Sequence, residues 1–141
     1  MTVMHHAIEN CTGFNLRAAT RSLTRRYDEL MAGTGLLSTQ FSMLNFIERK
    51  KDCGMADIAE GLDMDISTVT RNLAPLLSAR YVAIRPSRHD KRRKEIRLTS
   101  NGKQIMQETR PLWVQAQDEI VRKIGAKRYK ELLETLRAIR S

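Results

Sequence analysis

The segment RHDKRRKEIRLT (88–99) carries a dense positive charge, since six of its twelve residues are Lys or Arg. Between Arg80 and Arg97, eight basic and two acidic residues give a net charge of +6, out of +9 for all 141 residues. A charge that served solubility alone would be spread along the chain. We therefore expect this segment to contact a polyanion rather than to be an ordinary solvated surface.

A second group of polar residues lies in DIAEGLDMDISTVTRNL (57–73), which has the spacing of a helix-turn-helix. The small Ala59 lets two helices approach closely, and Val69 would pin the second helix against the first. Asp65 is placed to cap that second helix by accepting backbone N–H bonds. The outward positions at its start carry hydroxyls and a guanidinium, which suit phosphate oxygens and the O6 and N7 atoms of guanine in a major groove. These candidate DNA-binding residues are Ser67, Thr68, Thr70 and Arg71.

The same stretch is too acidic to hold DNA by charge. From Met55 to Leu77 one basic residue, Arg71, stands against four acidic ones, a net charge of −3. Affinity for a duplex comes largely from Lys and Arg side chains that neutralise phosphates. The basic segment that follows would have to supply this attraction.

The spacing of apolar residues predicts the helices that position these side chains. Recurrence at steps of three and four indicates helices at about 14–31, 39–50, 55–62 and 66–79. GTG (33–35) would end the first helix, and Ser38 is available to cap the second. Two more helices follow TSNG (99–102), with apolar residues running from Ile105 to Ile120 and from Tyr129 to Ile139.

Between these groups of helices the apolar period changes from that of a helix to that of a strand. Val82 and Ile84 alternate with outward positions, and so do Ile96 and Leu98 beyond the basic segment. Two short strands joined by a charged loop form a β-hairpin. A helix-turn-helix followed at once by a basic hairpin is a winged helix. We therefore predict a mainly α (α+β) fold, a winged helix-turn-helix with N- and C-terminal dimerisation helices.

The hairpin loop is the expected wing. In a winged helix, one helix enters the major groove and the wing reaches along the backbone into the neighbouring minor groove. A narrow A·T-rich minor groove concentrates negative potential and favours arginine. The candidate wing residues that contact DNA are Arg88, His89, Asp90, Lys91, Arg92 and Arg93.

The length of the chain, 141 residues, is that of a single domain. We assign 36–99 to the DNA-binding part, and 1–31 and 103–141 to dimerisation. A module of about 60 residues cannot cover the long apolar faces of the first helix and the last two, so a second copy of the chain is expected to cover them. Pro111 is expected to kink the fifth helix. The candidate dimerisation residues are Leu16, Leu23, Tyr27, Leu132, Leu133 and Leu136.

The chain also resembles a known family. DKRRKEIRLTSNG (90–102) matches the wing signature D-x-R…L-T-x-x-G of the MarR (multiple antibiotic resistance regulator) family. NLRAATRSLTRRYDELMAGTGLLSTQFSML (15–44) and TRPLWVQAQ (109–117) look like the first, second and fifth helices of that family, so the resemblance covers nearly the whole chain. It implies a homodimeric transcription factor that binds pseudo-palindromic operators on double-stranded DNA and is often released by a small phenolic ligand or an oxidant. We expect a repressor, with an activator as the less common alternative.

The resemblance gives individual residues a role. It implies that Asp90 braces the wing loop and that Arg92 enters the minor groove. The chain departs from the family where Asp63 occupies a turn position that commonly holds Gly or Asn. It departs again where Leu37 stands in place of the Thr that commonly starts the second helix, which puts any phosphate contact there in doubt.

An effector pocket is also implied, between the dimer-forming helices and the winged helix. The candidate lining residues, from the first, second and fifth helices, are Phe14, Arg17, Arg21, Phe41, Met43, Met106 and Trp113. Because Arg17 or Arg21 could pair with a carboxylate, we expect a small aromatic or anionic effector. The alternative is redox sensing through Cys11 near the start of the first helix, where the helix dipole favours a thiolate.

Other classes of function have little support in the sequence. There is no phosphate-cradling Gly-rich loop and no metal-ligand spacing, and the adjacent His5 and His6 make a poor chelate, so neither an enzyme nor a bound cofactor or metal is expected. No apolar stretch approaches a membrane span and no signal segment is recognisable, which predicts a cytoplasmic protein. A basic RNA- or ribosome-binding protein stays an alternative, although the basic loop has no aromatic residue on which bases could stack.

Overall fold

The computed structural model describes residues 7–141, which are mostly helical with one small sheet. The order of the elements is α1 (Thr12–Met31), α2 (Ser38–Arg49), α3 (Met55–Gly61), α4 (Ile66–Ser78), β1 (Val82–Pro86), β2 (Lys94–Leu98), α5 (Ser100–Ile124) and α6 (Ala126–Arg140). The predicted fold class is confirmed, and the first four helices begin and end within two residues of the expected positions. His5 and His6 lie outside the described residues.

The start of α2 differs from the prediction. The capping position is Leu37 rather than Ser38, which is the first residue of the helix. The backbone N–H of Leu37 donates to Oε1 of Gln40 at 2.9 Å, and that of Ser38 donates to Oδ1 of Asp28 in α1 at 2.7 Å. Gln40 of the same helix and Asp28 of α1 therefore satisfy two N–H groups at this end, and the Ser38 hydroxyl caps neither of them.

The α3–α4 unit is a helix-turn-helix of the predicted kind. Val69 and Leu73 of α4 are 0% and 2% exposed, and Ala59 packs against the same core. The turn closes with a 2.8 Å bond from the Met64 N–H to the Ala59 carbonyl oxygen. Asp63 takes a φ of +53° in this turn, a left-handed conformation that Asp tolerates better than most residues other than glycine.

The two strands pair antiparallel, with Val82 opposite Leu98 and Ile84 opposite Ile96. Val82 and Ile96 are buried, whereas Ile84 is 42% exposed because the hairpin extends beyond the core at that point. The N–H of Ile96 also donates to the carbonyl oxygen of Cys53 at 2.7 Å, which joins β2 to the α2–α3 connection.

The start of α5 is fixed by Thr99. Its hydroxyl donates to the Arg80 carbonyl oxygen at 2.5 Å and accepts the Gly102 N–H at 3.1 Å. The helix then continues through Pro111 to Ile124. Trp113 of α5 stacks on Phe41 of α2, with ring centroids 5.7 Å apart, so that α5 and α2 share one core.

The outer helices bury little of their surface within this chain. Met31 is the one fully buried residue of α1, and α6 has none. Leu23, Leu132 and Ile139 are 41%, 40% and 51% exposed. The chain thus leaves apolar side chains on α1 and α6 without cover, as expected of helices that meet a second copy.

Candidate nucleic-acid interface and effector cavity

The start of α4 presents its polar side chains in a fixed arrangement. Oδ1 of Asp65 accepts the Thr68 N–H at 2.7 Å and the Ser67 hydroxyl at 2.6 Å. These two donors lower the pKa of Asp65 to about 2, so its carboxylate stays charged at any ordinary pH. The predicted cap is therefore present, and it orients Ser67 at the first turn of the helix.

The remaining polar residues of α4 are also bonded locally. The Thr70 hydroxyl donates to the Ile66 carbonyl oxygen at 2.9 Å, and a guanidinium nitrogen of Arg71 donates to the Thr68 hydroxyl at 3.2 Å. Ser67, Thr70 and Arg71 are exposed and Thr68 is half-buried. The four candidate residues therefore lie together on one outward face at the start of the helix.

The wing loop has no ladder of strand hydrogen bonds and is held by its own turn. The Arg92 N–H donates to Oδ1 of Asp90 at 3.0 Å, and the Arg93 N–H donates to the Asp90 carbonyl oxygen at 3.0 Å. Asp90 thus braces the loop in this structure. All six residues from 88 to 93 are exposed, which leaves their cationic groups free to meet an external anion.

Two residues that bond to each other at the base of the wing loop were absent from the predicted site. Ser87 is 3% exposed, and its hydroxyl donates to Oδ1 of Asp52 at 2.8 Å. The Ser87 hydroxyl oxygen also accepts from the backbone N–H groups of His89 and Asp90, whose nitrogens lie 3.2 Å and 3.4 Å away. No local pattern could have revealed this pair, since 35 residues separate its members.

Known transcriptional regulators are similar to this chain in sequence and fold. The MarR family profile matches residues 34–93, which span the helix-turn-helix, β1 and the wing loop. The transcriptional regulator MosR of M. tuberculosis, solved in complex with DNA, is 31% identical over 89% of this chain and 92% of its own, with a TM-score of 0.77. The chain belongs to the MarR family. It is a winged-helix, DNA-binding transcriptional regulator, as the resemblance in the wing predicted.

Other regulators are similar to this chain at lower sequence identity. BpsR of Bordetella bronchiseptica is 18% identical with a TM-score of 0.86, and the match covers 96% of this chain and 97% of its own. The DNA binding of BpsR is described as regulated by 6-hydroxynicotinic acid. The HTH-type transcriptional regulator BilQ of Clostridioides difficile (strain CD3) is 21% identical over 97 residues. The match covers 69% of this chain and 66% of BilQ, just under two thirds of that relative's length.

The largest cavity described lies between α2, α5 and the α3–α4 turn, with a volume of about 460 Å³. Phe41, Phe46, Leu62 and Trp113 supply apolar walls. Arg49 and Lys50 at the end of α2 bring positive charge to its rim. The other lining residues are Ser42 and Asn45.

The predicted pocket residues divide into three groups. Phe41 and Trp113 line this cavity. Met43 and Met106 are 1% and 0% exposed, and they fill the core instead. The others lie on the first half of α1, away from the cavities described, and they are Phe14, Arg17 and Arg21. The sequence prediction missed Phe46, Arg49 and Lys50, because helical spacing does not reveal which face of α2 is left open by α5.

The contact between α1 and α5 contains a second polar cluster. Arg26 donates two bonds of 2.8 Å to the carboxylate of Glu119, which raises the pKa of Arg26 and lowers that of Glu119. The Tyr27 hydroxyl donates to Oε1 of Gln117 at 2.5 Å, and burial raises the pKa of that tyrosine. Tyr27, a predicted dimerisation residue, therefore contacts α5 of its own chain.

The other predicted dimerisation residues lie on the outer helices. Leu23 and Leu132 are exposed, whereas Leu16, Leu133 and Leu136 are half-buried. None of them belongs to the buried core. They are accessible to a second copy of the chain to different degrees.

The two cysteines occupy different environments. Cys11 is exposed at the N-terminal cap of α1. Cys53 is buried beside the wing, where burial raises the pKa of its thiol to about 11 and keeps it protonated.

Within residues 7–141, no cluster of three or more His, Cys, Asp or Glu could hold a metal ion, and no helix is long and apolar enough to cross a bilayer.

Proposed function

We propose that the protein is a ligand-responsive repressor that binds a pseudo-palindromic operator as a homodimer. The observation that carries this proposal is the division of charge between two adjacent elements. The helix-turn-helix has a net charge of −3 and displays hydroxyls and one guanidinium, while the hairpin beside it carries most of the positive charge. Such a pair fits base recognition by α4 and phosphate attraction by the wing.

The side chains of α4 suit the major groove. Arg71 has the donor geometry for guanine O6 and N7, and the hydroxyls of Ser67 and Thr70 can donate to phosphate or base oxygens. In the free protein these groups already bond to partners in the same helix. They are therefore held near the surface where a duplex would meet them.

The uncovered helices support a homodimer. Exposed Leu23 on α1 and exposed Leu132 and Ile139 on α6 form apolar surface that a second copy would bury. A twofold axis places two α4 helices on the same side of a duplex. We therefore expect half-sites roughly 34 Å apart, one helical turn of DNA.

The cavity beside α2 suits a small aromatic anion. The stacked rings of Phe41 and Trp113 form part of the apolar wall of the cavity, and Arg49 and Lys50 at its rim can attract a carboxylate. BpsR, which shares the fold, is described as regulated by an aromatic acid of this kind, 6-hydroxynicotinic acid. Such a ligand releases DNA if it binds better to a dimer whose wings are wrongly spaced.

A first test separates the roles of the wing and α4. Arg92→Ala should weaken binding to all duplexes and lower the salt slope by about one unit, because one phosphate neutralisation is lost. Arg71→Ala should instead relax the preference at one operator position, at a cost of about 1–3 kcal/mol for the preferred sequence. Gel-shift titrations over several salt concentrations and single-base operator variants measure both effects.

The control for this test is Arg25→Ala, which removes an exposed charge on α1 away from both elements. Equal loss of affinity across all operator variants for Arg92→Ala and Arg71→Ala would contradict the division of roles. Tighter binding to structured RNA than to duplex DNA would instead favour the RNA-binding alternative.

A second test concerns the effector. Benzoate and 6-hydroxynicotinic acid should raise the melting temperature of the protein and release its operator, and Arg49→Gln should weaken this response about tenfold or more, because a charged hydrogen bond is lost. Thermal shift and gel shift measure the two effects. Arg25→Gln is the matched control, since it removes a charge outside the cavity.

Oxidation is the competing mechanism. If peroxide releases DNA from the unmodified protein but not from Cys11→Ser, and the aromatic acids have no effect, the thiol is the sensor and the ligand proposal is wrong.

As a DNA-binding repressor the protein would act in the cytoplasm, and we assign it no catalytic step.

A further inference from the structure

The wing loop is attached to the rest of the domain through a buried serine. Ser87 and Thr109 are the buried polar residues among those that the structure describes, and Ser87 stands directly before the basic loop. Its hydroxyl gives its proton to Asp52 at 2.8 Å and faces the N–H groups of His89 and Asp90 at 3.2 and 3.4 Å. The hydroxyl has one proton to donate and two lone pairs to accept with, so these three contacts use its full capacity.

The partner of this serine lies in a segment that also bonds to the hairpin. Asp52 lies in the α2–α3 connection with a φ of +51°, a left-handed conformation. The next residue, Cys53, accepts the Ile96 N–H through its carbonyl oxygen at 2.7 Å. The α2–α3 connection is therefore hydrogen-bonded to the hairpin at two points, one on β2 and one at the base of the loop.

The loop beyond Ser87 has few other restraints. The Ser87 N–H donates to the Arg93 carbonyl oxygen at 2.8 Å and closes the loop, and Asp90 orders the turn inside it. These bonds set the shape of the loop but do not fix its direction relative to α4. The bond from Ser87 to Asp52 ties the loop to a segment outside the hairpin.

We propose that Asp52 and Ser87 are a positioning pair for DNA binding, which aims the wing arginines at the minor groove while α4 occupies the major groove. Neither side chain touches DNA in this account. Both act through Arg92. The inference rests on the proposed function, in which the wing contacts the duplex.

Three variants isolate the bond from charge and from backbone strain. Asp52→Asn keeps an acceptor oxygen and tolerates a positive φ, whereas Asp52→Gly adopts that φ freely but has no acceptor. Both remove the same negative charge. Ser87→Ala removes the hydroxyl from the other side of the bond.

Operator affinity should fall about five- to tenfold in Ser87→Ala and Asp52→Gly, in keeping with the loss of one hydrogen bond, and stay within about twofold in Asp52→Asn. The decisive readout is the double variant Ser87→Ala/Arg92→Ala. If Ser87 acts through the wing arginine, this double variant binds no more weakly than Arg92→Ala alone. Urea unfolding of each variant checks that the domain remains folded.

The outcomes separate this inference from the proposed function. If Arg92→Ala weakens binding and Ser87→Ala does not, the positioning role is wrong while the wing remains a DNA contact. Additive losses in the double variant, or equal losses in Asp52→Asn and Asp52→Gly, would overturn the positioning role in the same way. If Arg92→Ala has no effect on affinity, the wing assignment in the proposed function is itself wrong.

Discussion

Ending the chain after Gly125, and so removing α6, should abolish the dimer and lower operator affinity a hundredfold or more. The truncation removes the half-buried Leu133 and Leu136 together with the exposed Leu132 and Ile139. A monomer engages one half-site and loses the gain of about 10²–10⁴ that a second, tethered contact provides. Sedimentation velocity and gel shift measure the two effects.

A point variant tests the same interface without the risk that truncation unfolds the protein. Leu132→Glu places a charge on the outward apolar face of α6, whereas Lys130→Glu places one where a charged side chain is already exposed. We expect dissociation in the first and a dimer in the second. If sedimentation shows an intact dimer after the truncation, α6 is not part of the dimer interface.

Gly102→Ala should destabilise the monomer fold by about 1–3 kcal/mol, the usual effect of overpacking a close contact. A Cβ atom at this position would lie 2.1 Å from the Tyr81 carbonyl oxygen, far inside contact distance. That oxygen also accepts the Thr99 N–H at 2.9 Å, so it cannot move without breaking the join between β1 and α5. Urea unfolding measures the change in the free energy of unfolding.

Gly33→Ala is the matched control, because a Cβ there meets nothing within 4 Å and its φ is not positive. It should be neutral or slightly stabilising, by up to about 1 kcal/mol, since alanine reduces the freedom of the unfolded chain. Equal stabilities for the two alanine variants would mean that the Gly102 contact relaxes at no cost.

The helices and the hairpin could be predicted because their signals are local. The spacing of Ala59, Val69 and Leu73 is a property of one short segment, and so is the alternation in the strands. The wing signature around Asp90 and Arg92 is equally local. These local features predicted the fold class and gave the resemblance to the family.

What the sequence could not reveal depends on contacts between distant segments. Asp28 reaches the start of α2 across ten residues, and Asp52 reaches Ser87 across 35. No periodicity encodes such pairs. The cavity is a similar case, because Met43 and Phe46 both lie on α2, and the packing of the neighbouring helices leaves Met43 buried and Phe46 at the cavity wall.

In the proposed complex, the division of charge between helix-turn-helix and wing has a consequence for the search of a genome. On random sequence we expect the wings to supply nearly all of the attraction, because the acidic surface around α4 is repelled by the backbone, so that a dimer would slide with its reading helices loosely engaged. At the operator, bonds from Arg71 to base edges would be added without neutralising a phosphate, so they would release few further counterions. Random and operator DNA should therefore lose affinity with salt at nearly the same slope, which leaves the ratio between them almost constant as the ionic strength of the cell changes.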